Sequence, residues 1–130
     1  MMDYMAIAEV IAKASHCHRR KVGCILVKDG RIVSSGYNAI PKNIRDKCNG
    51  EGCGGCNNVI HSELNAIFAA ARTGISTNGC DMYITLSPCK ECAKGIAMAG
   101  IRRVIFKERY RDLSGVYFLR ELGVEVIEER

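Results

Sequence analysis

His61, Glu63, Cys89 and Cys92 stand in the strings His61-Ser62-Glu63 and Pro88-Cys89-Lys90-Glu91-Cys92. One imidazole and two thiolates are three protein ligands for zinc. That count leaves the fourth tetrahedral position open to water, as a catalytic zinc site requires and a structural one does not. Two thiolates and a neutral imidazole also balance the charge of Zn²⁺, whose bound water then has a pKa lowered toward neutrality. Glu63 need not be a ligand, because a carboxylate two residues from the histidine is placed to move that water's proton. Taken alone, Cys-x-x-Cys reads equally well as a redox pair or half of a structural zinc site, and His-x-Glu arises by chance. In this order, each opening a predicted helix after β structure, they read as one hydrolytic centre.

Helices must therefore begin at both strings. Apolar positions Leu64, Ile67, Phe68 and Ala71 share a face and predict a helix over His61–Arg72, ended by Thr73-Gly74. Ser87-Pro88 opens a second helix running to about Ala99 and closed by Gly100. Thiols in the first turn of a helix have lowered pKa values, and a spacing of three residues turns both sulfurs to the same side. Before these come an amphipathic helix within residues 2–14 and two β-rich runs, Val22–Lys28 and Arg31–Tyr37. Asp29-Gly30 between the runs predicts a two-residue hairpin. Cys80–Leu86, Arg103–Lys107 and Val124–Ile127 read as strands, and Leu113–Leu122 as a helix ended by Gly123. A hairpin followed by βαβ crossovers predicts an α/β fold: a mixed five-stranded sheet with helices on both faces.

The 130 residues suit a single domain, 1–130, with a cysteine-rich insertion at about 39–60. No apolar run approaches the length of a membrane span, and Glu9 and Lys13 interrupt the first helix, so no signal peptide is expected. Eight cysteines without a secretory signal argue for metal binding in a reducing cytoplasm rather than for a disulfide scaffold. Cys24 and Cys80 adjoin strand-like runs and read as small buried hydrophobes. The net charge of +5 suits an anionic substrate, with the basic excess at Arg19-Arg20-Lys21 and from Arg102-Arg103 through Arg111; a solvated basic surface explains it equally well.

His-x-Glu with Pro-Cys-x-x-Cys is the signature of zinc-dependent nucleobase deaminases. Further residues narrow the resemblance: Lys21-Val22-Gly23-Cys24-Ile25-Leu26-Val27-Lys28, Gly36-Tyr37-Asn38-Ala39-Ile40-Pro41, and His61-Ser62-Glu63-Leu64-Asn65-Ala66-Ile67. From about Ala14 onward the chain resembles the deoxycytidylate (dCMP) deaminases, within the cytidine and deoxycytidylate deaminase family. The resemblance implies the three-layer cytidine deaminase-like fold. It also implies hydrolysis of dCMP to dUMP and ammonia, supplying dUMP for thymidylate synthesis. In that chemistry zinc-bound hydroxide attacks C4 of cytosine and Glu63 carries protons to the ring nitrogen and the departing amine.

In that family, asparagines matching Asn38 and Asn65 contact the nucleotide. On their own, Asn38 also reads as a turn residue after a strand, and Asn65 as a solvent-facing helix residue. A 5′-phosphate needs cations or N–H donors, for which Arg20, Lys21 and Tyr110 are candidates. Ala39 replaces the usual glycine after Gly-Tyr-Asn, while Ser62 and Ser87 replace the more usual alanine and threonine. Cys48-x4-Cys53-x2-Cys56 lies in a polar stretch that would gain order from metal. Some relatives hold a second, structural zinc there. The fourth ligand is Cys17, His16 or His18, with Cys17 favoured by the resemblance; free thiols or a Cys53–Cys56 pair are the alternatives.

Part of the family is regulated by dCTP and dTTP, where magnesium would accompany an allosteric nucleoside triphosphate, and hexamers are common there. The shorter chain and the brief stretch between Cys56 and His61 leave regulation and the hexamer open, while a homo-oligomer is expected. The competing readings are a deaminase of another cytosine nucleoside or nucleotide, a polynucleotide base editor, an accessory protein of DNA uptake with a retained deaminase domain, and a non-catalytic zinc module binding single-stranded nucleic acid. Low aromatic content and the absence of tryptophan argue against nucleic acid as a partner. Glu63 argues against a purely structural zinc, which has no use for a proton carrier.

Overall fold

The computed structural model describes residues 2–17, 20–40 and 58–129. Cys48, Cys53, Cys56 and His18 lie outside the described residues, so of the residues expected to hold a second zinc only Cys17 and His16 are described.

The elements follow in the order α1 (Tyr4–Ala12), β1 (Gly23–Lys28), β2 (Arg31–Tyr37), α2 (Ser62–Arg72), β3 (Asp81–Leu86), α3 (Lys90–Met98), β4 (Arg103–Glu108), α4 (Ser114–Glu121) and β5 (Glu125–Glu128). The strands form one sheet in the order β2-β1-β3-β4-β5. β1 runs antiparallel to both β2 and β3, whereas β3, β4 and β5 are parallel. The mixed five-stranded sheet is the expected one. Asp29 and Gly30 turn the hairpin with φ of 51° and 74°, the two positive values that a type I′ turn demands.

Alternation along the central strands separates two cores. Cys24, Leu26, Met82, Ile84, Val104 and Phe106 face α2, α3 and α4, whose contributions include Ala66, Ala93, Ile96, Val116 and Leu119. Ile25, Val27 and Ile105 point to the other side, where Met5 and Ala8 of α1 cover them. At ~25 cal/mol per Å², each fully buried Leu, Ile or Met contributes about 1.5–3 kcal/mol. Cys24 and Cys80 are both fully buried, as their apolar surroundings in sequence suggested.

Two contacts without side chains set the spacing of helices on strands. A Cβ at Gly36 of β2 would come 2.5 Å from Ser62 O and Ala66 N of α2. A Cβ at Gly23 of β1 would come 2.1 Å from Ala8 O of α1. At both points only glycine lets the backbones approach this closely.

Candidate active site

Both chemical strings lie where a helix begins, and in both the ligand itself is the residue before the first helical turn. His61 (φ −66°, ψ 156°) precedes α2 and Cys89 (φ −74°, ψ 168°) precedes α3. Neither side chain caps its own helix. Both are therefore free to turn toward a common point, while Cys92 lies three residues on, buried in the first turn of α3.

Pro88 departs from the sequence expectation. It does not open α3 but stands two residues before it, fully buried. The extended backbone of Cys89 delays the helix by that much. Gly115 at the start of α4 packs directly on the Pro88–Cys89 peptide, since a Cβ there would lie 2.3 Å from Pro88 O and 2.7 Å from Cys89 O. Sequence reasoning passed over Gly115, whose only local signal is a glycine in a predicted first turn. α1 is likewise shorter than the 2–14 pattern, because Asp3 caps it by accepting from the Ala6 N–H at 3.1 Å.

His61 Nδ1 lies 3.2 Å from Cys92 Sγ and 3.7 Å from Cys89 Sγ. The three donor atoms lie within 4.8 Å of one another. In a tetrahedral zinc site with ordinary bond lengths, neighbouring ligand atoms are about 3.5–3.8 Å apart. The set fits zinc in both identity and size, and Nδ1 is the ring nitrogen that faces both sulfurs.

The lowered thiol pKa expected at a helix start holds for Cys89 and fails for Cys92, which is buried beside it. The Cys89 thiol is lowered to about 4 by the hydrogen bond from Cys92 and then by the one with His61. Cys92 is pushed far up, first by its bond to Cys89 and then by burial. Two thiols this close do not both ionise readily without a cation, and a divalent metal would let both bind as thiolates. His61 is raised, chiefly by its hydrogen bond with Cys89.

Glu63 is 4 % exposed on the first turn of α2. Burial raises its pKa, against the lowering effect of a backbone hydrogen bond, the His61 charge and the Ser62 hydroxyl. Ser62, itself fully buried, donates from Oγ to Glu63 Oε1 at 3.1 Å. Its role as a carboxylate partner was not visible in sequence, where it stood only as a replacement for alanine.

The two asparagines stitch the site's walls together. Asn65 Nδ2 donates to Tyr37 O at 2.7 Å and Ile60 O at 3.1 Å, leaving its Oδ1 for other partners. Asn38 Nδ2 donates to Arg20 O at 2.7 Å, and its Oδ1 accepts from the Val22 N–H at 2.9 Å. An amide has two N–H donors and two lone pairs, so each bond on Asn38 leaves one of each. Ala39 and Ile60 exchange backbone hydrogen bonds of 3.1 and 2.8 Å immediately before His61.

The phosphate candidates are more scattered. Arg20 pairs with Glu108 at 3.3 Å on an exposed surface, and Lys21 is exposed beside it. Tyr110 is half-buried, and its backbone N–H donates to Ser87 Oγ at 2.7 Å, two residues before Cys89. Arg102 and Arg103 are elsewhere. Both bind Asp81, at 3.1 and 2.7 Å, at the start of β3, whereas Cys89 follows its other end. Those two arginines form a structural ion-pair cluster remote from the site. Cys17 is half-buried, and its amide is held by the Ser15 hydroxyl. No described helix is long and apolar enough to cross a membrane.

Comparison with known proteins agrees with this geometry. Residues 2–108 match the family model described as the cytidine and deoxycytidylate deaminase zinc-binding region. The chain is 32 % identical to the deoxycytidylate deaminase of Enterobacteria phage T2, an alignment covering 94 % of this chain and 88 % of that protein. It is 37 % identical to ComE operon protein 2 of Bacillus subtilis (strain 168), over 83 % of this chain but 59 % of that protein. Among solved structures, the dCMP deaminase of cyanophage S-TIM5 in complex with dCMP and dUMP matches with a TM-score of 0.91 and 38 % identity, covering 97 % of this chain and 93 % of that one. The three-layer architecture is therefore the deaminase one, and the chain belongs to the cytidine and deoxycytidylate deaminase family.

Proposed function

We propose that the chain deaminates dCMP hydrolytically, converting dCMP and water to dUMP and ammonia and so supplying dUMP for thymidylate synthesis. The observation that carries this reading is the convergence of His61, Cys89 and Cys92 beside the buried carboxyl of Glu63. Zinc held by those three residues would supply water acidified toward neutrality. Glu63 takes one proton of the attacking water and passes it to N3 of the cytosine ring. It then takes the remaining proton from the new C4 hydroxyl and delivers it to the 4-amino group, which departs as ammonia as the C4 carbonyl forms. Its burial suits that work, because desolvation raises its pKa and makes it a better proton acceptor than an exposed carboxylate. Ser62 orients it through the bond to Oε1.

Asn38, with its remaining amide hydrogen and lone pair, and Asn65, with its free-facing Oδ1, read the sugar and base. Arg20, Lys21 and the Tyr110 hydroxyl serve the 5′-phosphate. Cys17, Cys48, Cys53 and Cys56 hold a second, structural zinc, supported by the four-cysteine count and by the anchored position of Cys17. The 1–130 segment works as one deaminase domain, in a homo-oligomer and in the reducing cytoplasm, where its cysteines stay free for metal. Magnesium enters only with an allosteric nucleoside triphosphate.

The test is to incubate zinc-loaded protein with dCMP, CMP, deoxycytidine and dCTP and to follow loss of the amine. dCMP is the expected preferred substrate; activity confined to deoxycytidine or dCTP would overturn the assignment. Glu63→Gln should retain zinc while turnover falls by at least about 10²–10⁴-fold. Elemental analysis should find two zinc ions per chain, and a single ion would reject the structural site.

A further inference from the structure

Ser15 lies just beyond α1 and is 2 % exposed. Its hydroxyl donates to Asn38 O at 2.8 Å and accepts from the Cys17 N–H at 3.2 Å. The buried hydroxyl thus spends its one donor and one of its two lone pairs on main-chain atoms of two different segments. Asn38 extends the chain of bonds. Its side-chain amide clasps Arg20 O and the Val22 N–H, and its own N–H donates to Val22 O at 3.3 Å. On its other side, Ala39 is paired with Ile60, the residue before His61. A continuous run of hydrogen bonds therefore joins the end of α1 to the turn that carries a metal ligand. Ser15 is the buried link in it that the chemistry itself does not use.

We infer that Ser15 is a positioning residue for nucleotide binding. By holding the Asn38 carbonyl, it fixes the orientation of the Asn38 amide and the course of Arg20–Val22, against which the nucleotide lies. This rests on the dCMP reading of the site. A residue that only stabilised the fold would lower stability without separating binding from turnover. A positioning residue raises KM and leaves kcat in place.

The experiment compares Ser15→Ala with wild type and with Ser15→Thr, which keeps the hydroxyl. Amide hydrogen exchange at Val22 and steady-state kinetics on dCMP are the two readouts. Loss of one buried hydrogen bond corresponds to about a fivefold change in an equilibrium. Ser15→Ala should therefore exchange Val22 about fivefold faster and raise the KM for dCMP by about the same factor. kcat should be unchanged, and Ser15→Thr should restore both readouts. Wild-type protection at Val22, or an unchanged KM in active Ser15→Ala, would overturn the inference. If wild type leaves dCMP untouched, it is the deaminase reading that fails and the nucleotide role of Ser15 falls with it, while faster Val22 exchange would still show that Ser15 holds Asn38. Should Ser15→Ala not fold, Ser15→Cys, a weaker donor of similar size, carries the same measurements.

Discussion

Glu63 and Cys92 are both buried, both next to His61, and both driven toward their protonated forms. For Cys92 this has a direct effect on metal affinity. Zinc binds thiolate, so loading the site must expel the proton that Cys92 holds. As pH falls, the protonated metal-free form is favoured, and apparent zinc affinity should drop by at least about tenfold per pH unit between about pH 8 and 6. His61, also raised, adds a second proton and steepens the fall once it charges. Cys89, lowered to about 4, adds nothing in that range. A competing-chelator titration across these pH values measures the slope, and a flat profile would contradict a protonated Cys92 in the metal-free site. The metal-ligand types were legible in sequence because the chemistry restricts them to few residues at fixed spacings. Ser62 and Ser15 were not. A serine's role depends on which backbone or carboxylate atom the fold brings to it, and nothing local to Ala14-Ser15-His16 announces Asn38, 23 residues away.

Among the elements, glycine at Gly36 and at Gly95 answers different demands. A Cβ at Gly36 would collide with the backbone of α2 at Ser62 and Ala66, which cannot yield without moving the helix that carries Glu63. Gly36→Ala should therefore lower stability by about 1–3 kcal/mol. At Gly95, inside α3, the obstacle is the end of the Leu64 side chain at 2.8 Å, which can rotate away. The alanine there also gains about 0.5–1 kcal/mol of helix preference, so Gly95→Ala should be near neutral. Urea midpoints of the two variants decide the matter, and equal shifts would show that the Gly36 contact is looser than it looks. Element positions were readable within about two residues because hydrophobic period and glycine or turn residues agreed at most boundaries. Pro88 was misread because proline favours a helix start, whereas here the metal ligand after it takes the extended cap position and moves the helix along.

Across the whole molecule, strand order was the part that local pattern could not supply. The Asp29-Gly30 turn dictates that β1 meets β2, and the crossover helices dictate that β3, β4 and β5 run parallel. Nothing local dictates that β1 lies between β2 and β3. That arrangement arises because Cys24, Ile25, Leu26 and Val27 are apolar on both sides and need cover from helices on both faces. The Asp81 cluster shows the same dependence on the assembled sheet, since its arginines enter from β4 and the residue before it.

The pairing of β1 with β3 sets Cys24 opposite Ile84, a contact spanning 60 residues of chain. Such closures are slow, and His61 meets the two thiols only after α2 and α3 have docked on that closed sheet. The metal centre should therefore form late on the folding route, after the transition state. An ion bound there should act as a latch rather than as a seed. In stopped-flow experiments zinc should slow the unfolding limb and leave the refolding limb where it was; faster refolding with zinc would mean that the ligands gather early. Persistence of the native chain would then follow the occupancy of three side chains, with the rate of folding left to the sheet.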